Sequence, residues 1–184
     1  MQMQRSLMLV GALVLCFGTA WAQGDAKVEQ RKLEIDTAAQ ATLDELMSAH
    51  ANVRDLYNRA AGHAVFTVTK AGFIVSGGGG NGVAVNKATG QHTYMRMGTG
   101  GIGLGVGGQR YNLVMLFETE DRLNKFLAGG WDSSASAEAA AGQEGVAVRS
   151  SFIDGMAFYQ ITDKGLMAWA DVSGTKFWVT DELR

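Results

Sequence analysis

The chain is expected to be an α+β protein: N-terminal helices packed on a curled, mainly antiparallel, barrel-like β-sheet, with one short helix inserted between strands. Three features predict this. Apolar residues recur at three- and four-residue steps from Ala26 to about Ala61, with no glycine among them. Beyond Gly62 the apolar period drops to two, in runs rich in β-branched and aromatic residues. The later runs are joined mostly by short Gly-, Asp- and Asn-containing links, which favour antiparallel neighbours. With 184 residues, 47% hydrophobic and 18% charged, and no proline, the composition suits one domain with a real core.

The first 22 residues stand apart. Arg5 supplies a positive start, Leu7 to Phe17 form an apolar run, and Ala20-Trp21-Ala22 fits a small-x-small cleavage site. Residues 1–22 are read as a secretory signal and 23–184 as the single folded domain, exported to the periplasm or envelope. The run is shorter than the ~20 apolar residues of a membrane span. A lipoprotein signal retaining Cys16 is disfavoured by the bulky Leu15 before it. Cys16 is the only cysteine, so its removal leaves no disulfide, thiolate nucleophile or cysteine-ligated metal. Loss of Arg5 takes the 16 basic residues to 15 against 18 acidic, which argues against bulk attraction to nucleic acid.

In the helical region Ile35, Ala39, Leu43 and Leu46, then Val53, Leu56, Tyr57 and Ala60, mark apolar faces. A break near 49–52 predicts two helices, with Gly62 as the stop. Ala64 to Thr69 and Phe73 to Val75 read as strands around a turn at Lys70-Ala71-Gly72. Val83 to Val85 leads into a hairpin link at Asn86 to Gly90, and His92 to Met97 alternates. Tyr111 to Phe117 is long enough for a buried strand. Thr119 caps a short helix to Leu127, with Glu120 and Asp121 in its first turn and Gly129-Gly130 ending it. The small-residue stretch 133–142 fits either a strand or a loop. From Val146 to Val179 four further runs suggest a meander, for seven to nine strands in all.

The stretch "GTGGIGLGVGG" at 98–108 is the most distinctive. Read as one strand, it places Gly101, Gly103, Gly105 and Gly107 on one face and Ile102, Leu104 and Val106 on the other. A bare face of this kind admits a sharp curve, a packed helix, or a groove for an acyl chain or another backbone. The Gly77-x-Gly79-x-x-Gly82 and Gly103-x-Gly105-x-x-Gly108 spacings match a dinucleotide fingerprint. Each leads into a strand rather than a helix, so the pyrophosphate seat is missing.

Nothing in the spacing nominates catalysis or a cofactor. His50, His63 and His92 are scattered without a metal-ligand pattern, Ser76 lies outside a nucleophile elbow, and the acids sit at turns and helix starts. Lys27, Arg31 and Lys32 form a small basic cluster on the first mature helix, diluted by Glu29, Glu34 and Asp36. Lys70, Arg96 and Arg110 lie at strand ends near the glycine-rich segments and gain weight only if they converge in space.

"RAAGHAVF", "KAGFIVSGGGGNGV" and "GTGGIGLGVGGQRYNLVMLFETEDRLNKFLAGGW" occur in that order, and the chain resembles the SYLF domain family, in particular its secreted bacterial branch. The match runs from about Leu43 to Gly145 and more loosely to the end. The resemblance implies a non-enzymatic lipid-binding module, whose eukaryotic relatives bind phosphoinositides and membranes and some of whose members bind actin. It also implies a basic amphipathic N-terminal helix as the lipid contact, for which Lys27, Arg31 and Lys32 are the matching positions. For an exported chain the expected partner is a phospholipid or membrane surface, or else a protein of the envelope.

Overall fold

A computed structural model describes residues 7–72, 75–102, 107–129, 151–162, 165–167 and 174–183. Helix α1 spans Leu7–Ala49 and α2 spans Ala51–Arg59. The break at His50 falls where the periodicity predicts it. Ile35, Ala39, Leu43 and Leu46 of α1 and Val53 and Leu56 of α2 are buried on one face of the sheet. Gly62 is not the helix stop. The chain leaves the helix at Ala60 in extended conformation, and Gly62 already begins β1 (Gly62–Gly72). A glycine is needed there because a Cβ would lie 2.7 Å from the Val85 carbonyl and 2.7 Å from a Leu123 methyl.

β2 (Val75–Asn86), β3 (His92–Ile102), β4 (Gly107–Phe117), β5 (Met156–Thr162), β6 (Gly165–Met167) and β7 (Thr175–Val179) complete a seven-stranded antiparallel sheet of order β6-β5-β4-β1-β2-β3-β7. β1 continues through Lys70-Ala71-Gly72, so the turn expected there is absent. The predicted Asn86–Gly90 link is formed, with the Asn86 side-chain oxygen accepting from the amides of Ala88 and Thr89. The predicted runs at 133–142 and 146–148 lie outside the described residues.

The sheet is curled but open: β6 and β7 are its edges, and the described residues contain no pairing between them. Its curvature is measured by two phenylalanines. β7 lies three strands from β1, about 14 Å away on a flat sheet, yet the rings of Phe66 on β1 and Phe177 on β7 are 5.0 Å apart. α3 (Glu120–Leu127), capped by Thr119 as predicted, sets Leu123 and Phe126 into this concave side. Phe126 meets Phe117 at 5.1 Å and Phe177 at 5.2 Å. Two apolar layers result, one between the sheet and α1/α2, the other inside the curl under α3.

The single glycine-faced strand expected over 98–108 is corrected. Gly101 closes β3 and Gly107 opens β4, two strands separated in the sheet by β2 and β1, while Gly103 and Gly105 lie outside the described residues. The register requires the division: Gly101 pairs with Ser76 on β2 and Gly107 with Gly72 on β1, so the two glycines lie on opposite flanks of the β1–β2 pair. The glycines that admit the curl are on β2 instead. A Cβ on Gly78 would stand 2.7 Å from the Thr69 carbonyl, and one on Gly80 or Gly82 would run into the carbonyls of Thr67 or Val65.

Candidate functional site

The helix-covered face of the sheet changes chemistry along its length, and the register displays the change row by row. One row reads Val114, Val65, Val83 and Tyr94 across β4, β1, β2 and β3. The three valines are buried beneath α1 and α2. Two residues further along each strand the row becomes Asn112, Thr67, Asn81, Arg96 and, on β7, Trp178. The next is Arg110, Thr69, Gly79, Gly98 and Lys176.

Here α1 and the polar end of the sheet form the walls of a groove of about 470 Å³. Ile35, Ala38 and Ala39 of α1 supply its apolar wall, and Thr67, Thr69 and Gly79 lie along the strand side. Arg31 from α1, Arg96 from β3 and Arg110 from β4 all line it, as does Trp178. Three of the six basic residues singled out from sequence therefore converge from three elements that are distant in the chain. Arg31 pairs with Glu34 at 3.4 Å and Arg96 with Glu182 at 3.3 Å, both in solvent-exposed geometry, while Arg110 makes no ion pair among the described residues. Such exposed pairs contribute at most about 1 kcal/mol and exchange readily for another anion.

The other three basic positions are placed differently. Lys27 is exposed one helical turn before Arg31. Lys32 is turned towards the sheet, 2.9 Å from Glu29 and 5.8 Å from the centre of the Tyr94 ring. Lys70 has the parity of Phe66 and Val68 and belongs to the concave side, away from the groove. Of the glycines, Gly79 and Gly98 belong to the groove's side of the sheet. A Cβ on Gly98 would lie 3.3 Å from the indole of Trp178, so the missing side chain lets that ring lie on the sheet. Lys176 and Trp178 escaped the sequence reading because a Lys-x-Trp in a short strand carries no motif. The register with Gly98 and Arg96 is what gives them a place.

On the other flank of α1 the polar groups tie the helix to the sheet. The Tyr94 hydroxyl donates to Asp36 Oδ2 at 2.8 Å, and His92 Nδ1 lies 3.1 Å from Asp36 Oδ1. Burial, and then the bond to Asp36, raise the Tyr94 phenol well above its usual range. His63 is buried under the Tyr57 ring at 5.3 Å, and its Nδ1 has no hydrogen-bond partner among the described residues. Burial, with Lys87 and His92 nearby, lowers its pKa to about 4. No hydroxyl or thiol is hydrogen-bonded to His92 among the described residues, and no group of three or more His, Cys, Asp or Glu there is arranged to hold a metal.

Fold and site together define an α+β protein with helices over one face of a curled antiparallel sheet and an arginine-lined groove beneath the first helix. Residues 98–183 match the family model described as Las17-binding protein actin regulator. Beta cell expansion factor A of Aeromonas veronii is 36% identical over 155 residues, covering 84% of this chain and 59% of that protein. The family-model match assigns residues 98–183 to the SYLF family, a family of lipid- and protein-interaction modules that is not a known enzyme family. The chain spans about three-fifths of the length of that relative.

Proposed function

We propose that this is an exported, non-enzymatic protein of the bacterial cell envelope that binds anionic phospholipid, with Arg31, Arg96 and Arg110 meeting the headgroup phosphates at the groove under α1. The observation that carries this reading is the convergence of those three side chains on one groove despite the chain's net charge of −2. Guanidinium groups suit phosphate because their paired N–H donors match its oxygens. Lys27, next on the exposed side of α1, extends the basic rim, whereas Lys32 packs beside Glu29 and Tyr94 and Lys70 belongs to the other side of the sheet.

The test is sedimentation of the purified protein with vesicles of phosphatidylglycerol or cardiolipin, against phosphatidylcholine alone. Each basic residue near an anionic bilayer contributes about 1 kcal/mol, so a double Arg96→Gln, Arg110→Gln variant weakens binding roughly 30-fold, with Lys70→Gln near wild type. Absence of sedimentation with either anionic lipid sinks the reading. The match to a Las17-binding actin regulator model supports a second one, a scaffold that recruits an envelope protein. Retention of a protein partner by a chain that ignores vesicles favours that alternative. Export is checked by mass spectrometry of the N-terminus: a start at Gln23 supports signal cleavage, and a lipidated Cys16 replaces it with an anchored form.

A further inference from the structure

We propose that Trp178 is the bilayer anchor of the groove, seating its indole at the boundary between headgroups and acyl chains while Arg96, Arg110 and Lys176 engage the phosphates around it; this rests on the lipid-binding reading above. Trp178 is one of three large hydrophobic residues left exposed among the described residues, at 42%. Strand alternation explains the direction it takes. Thr175 and Phe177 of β7 are buried, so Lys176 and Trp178 share the opposite face, the one that carries the groove.

The surroundings of Trp178 specify the kind of surface it meets. Its strand neighbour is Arg96, Lys176 pairs with Gly98 in the next row, and Arg31 and Arg110 line the same groove. These four cations outnumber the carboxylates paired with two of them, Glu34 and Glu182. An apolar, flat side chain with one N–H donor, ringed by cations, complements the interfacial layer of an anionic membrane. An apolar protein partner has no use for a ring of four cations, two of which have no carboxylate partner among the described residues. The position also fits physically. β7 is an edge strand, and Gly98 beneath the ring holds the indole against the sheet without a side chain to lift it. Of the other exposed hydrophobics, Leu33 lies on the side of α1 turned away from Ile35 and the sheet, so Trp178 stands as the apolar element beside the basic residues.

Wild type and Trp178→Phe are mixed with vesicles of phosphatidylglycerol and phosphatidylcholine, and with the same vesicles carrying acyl-brominated lipid. Sedimentation and tryptophan emission are read on each sample. Wild type is expected to bind with a blue-shifted emission quenched by bromine. Trp178→Phe is expected to lose most of that shift and quenching, and Trp178→Ala to bind about tenfold more weakly. Unchanged far-ultraviolet circular dichroism and melting temperature in Trp178→Phe exclude misfolding. If the variants bind like wild type and the bromine quenching is unaltered, the anchor assignment is overturned while lipid binding stands. Wild type that fails to bind overturns both, and self-association abolished by Trp178→Ala would then assign this patch to a second copy of the chain.

Discussion

The two ends of the helix-covered sheet face use the same strands for opposite purposes. At one end Val65, Val83 and Val114 lie in register and are sealed by Leu43, Leu46, Val53 and Leu56. At the other, Thr67, Thr69, Asn81, Arg96 and Arg110 occupy the same parity and are open. Neither strand pairing nor α1 changes between them. What changes is side-chain volume and polarity: branched apolar residues hold the helix down, while threonine, glycine and arginine leave a basin beside it. Core and site are thus one continuous surface divided by two residues per strand.

That division can be broken at the sealed end first. Leu43→Ala or Leu56→Ala removes a side chain no more than 2% exposed and is expected to lower unfolding free energy by about 2–5 kcal/mol in urea melts, loosening α1 and with it the groove. An adjacent glycine pair sharpens the contrast between faces. Gly80→Ala drives a Cβ into the Thr67 carbonyl and should cost about 1–3 kcal/mol, whereas a Cβ on Gly79 meets only ordinary contact at 3.4 Å, so Gly79→Ala should melt within a few degrees of wild type.

His63 tests the sealed end through pH. Its folded-state pKa of about 4 lies below the unfolded value near 6.5, so the unfolded chain takes up the proton first and stability is lost as pH falls through that window. The full effect is on the order of 3 kcal/mol. His63→Phe should flatten the acid limb of a stability-versus-pH series, and an unchanged limb would overturn the assignment of that limb to His63. The smallest effect belongs to the open end. Glu182→Gln releases Arg96 from its exposed pair and should tighten binding to phosphatidylglycerol vesicles by at most about fivefold, because such pairs contribute roughly 0.2–1 kcal/mol.

Much of this molecule is legible along the chain. The i, i+4 spacing of Ile35, Ala39 and Leu43 locates the first helix, and Thr119 with Glu120 and Asp121 marks the start of α3. The alternation at His92 to Met97 locates β3. The errors share one cause. Gly62 looks like a cap, Lys70-Ala71-Gly72 like a turn, and 98–108 like one strand, because each glycine is read only against its neighbours along the chain. In the fold Gly62 makes room for Val85 and Leu123, and the β2 glycines make room for β1. Those are contacts with residues nine or more positions away, on another strand or helix, which no local pattern contains.

The candidate site divides along the same line. Arg31, Arg96 and Arg110 could be named from sequence as cations near helices and glycine-rich strands, together with Lys32 and Lys70, which do not line the groove, and Lys27, which lies one helical turn beyond it. Sequence by itself determined the element types, the break between the first two helices, the capped start of α3 and the apolar content of each face, because these depend on side-chain period and local capping. Only the tertiary structure decided which cations meet and that Trp178 joins them. Strand order and register bring β4, β1, β2, β3 and β7 side by side, and those long-range hydrogen bonds leave no mark in the spacing of residues along the chain.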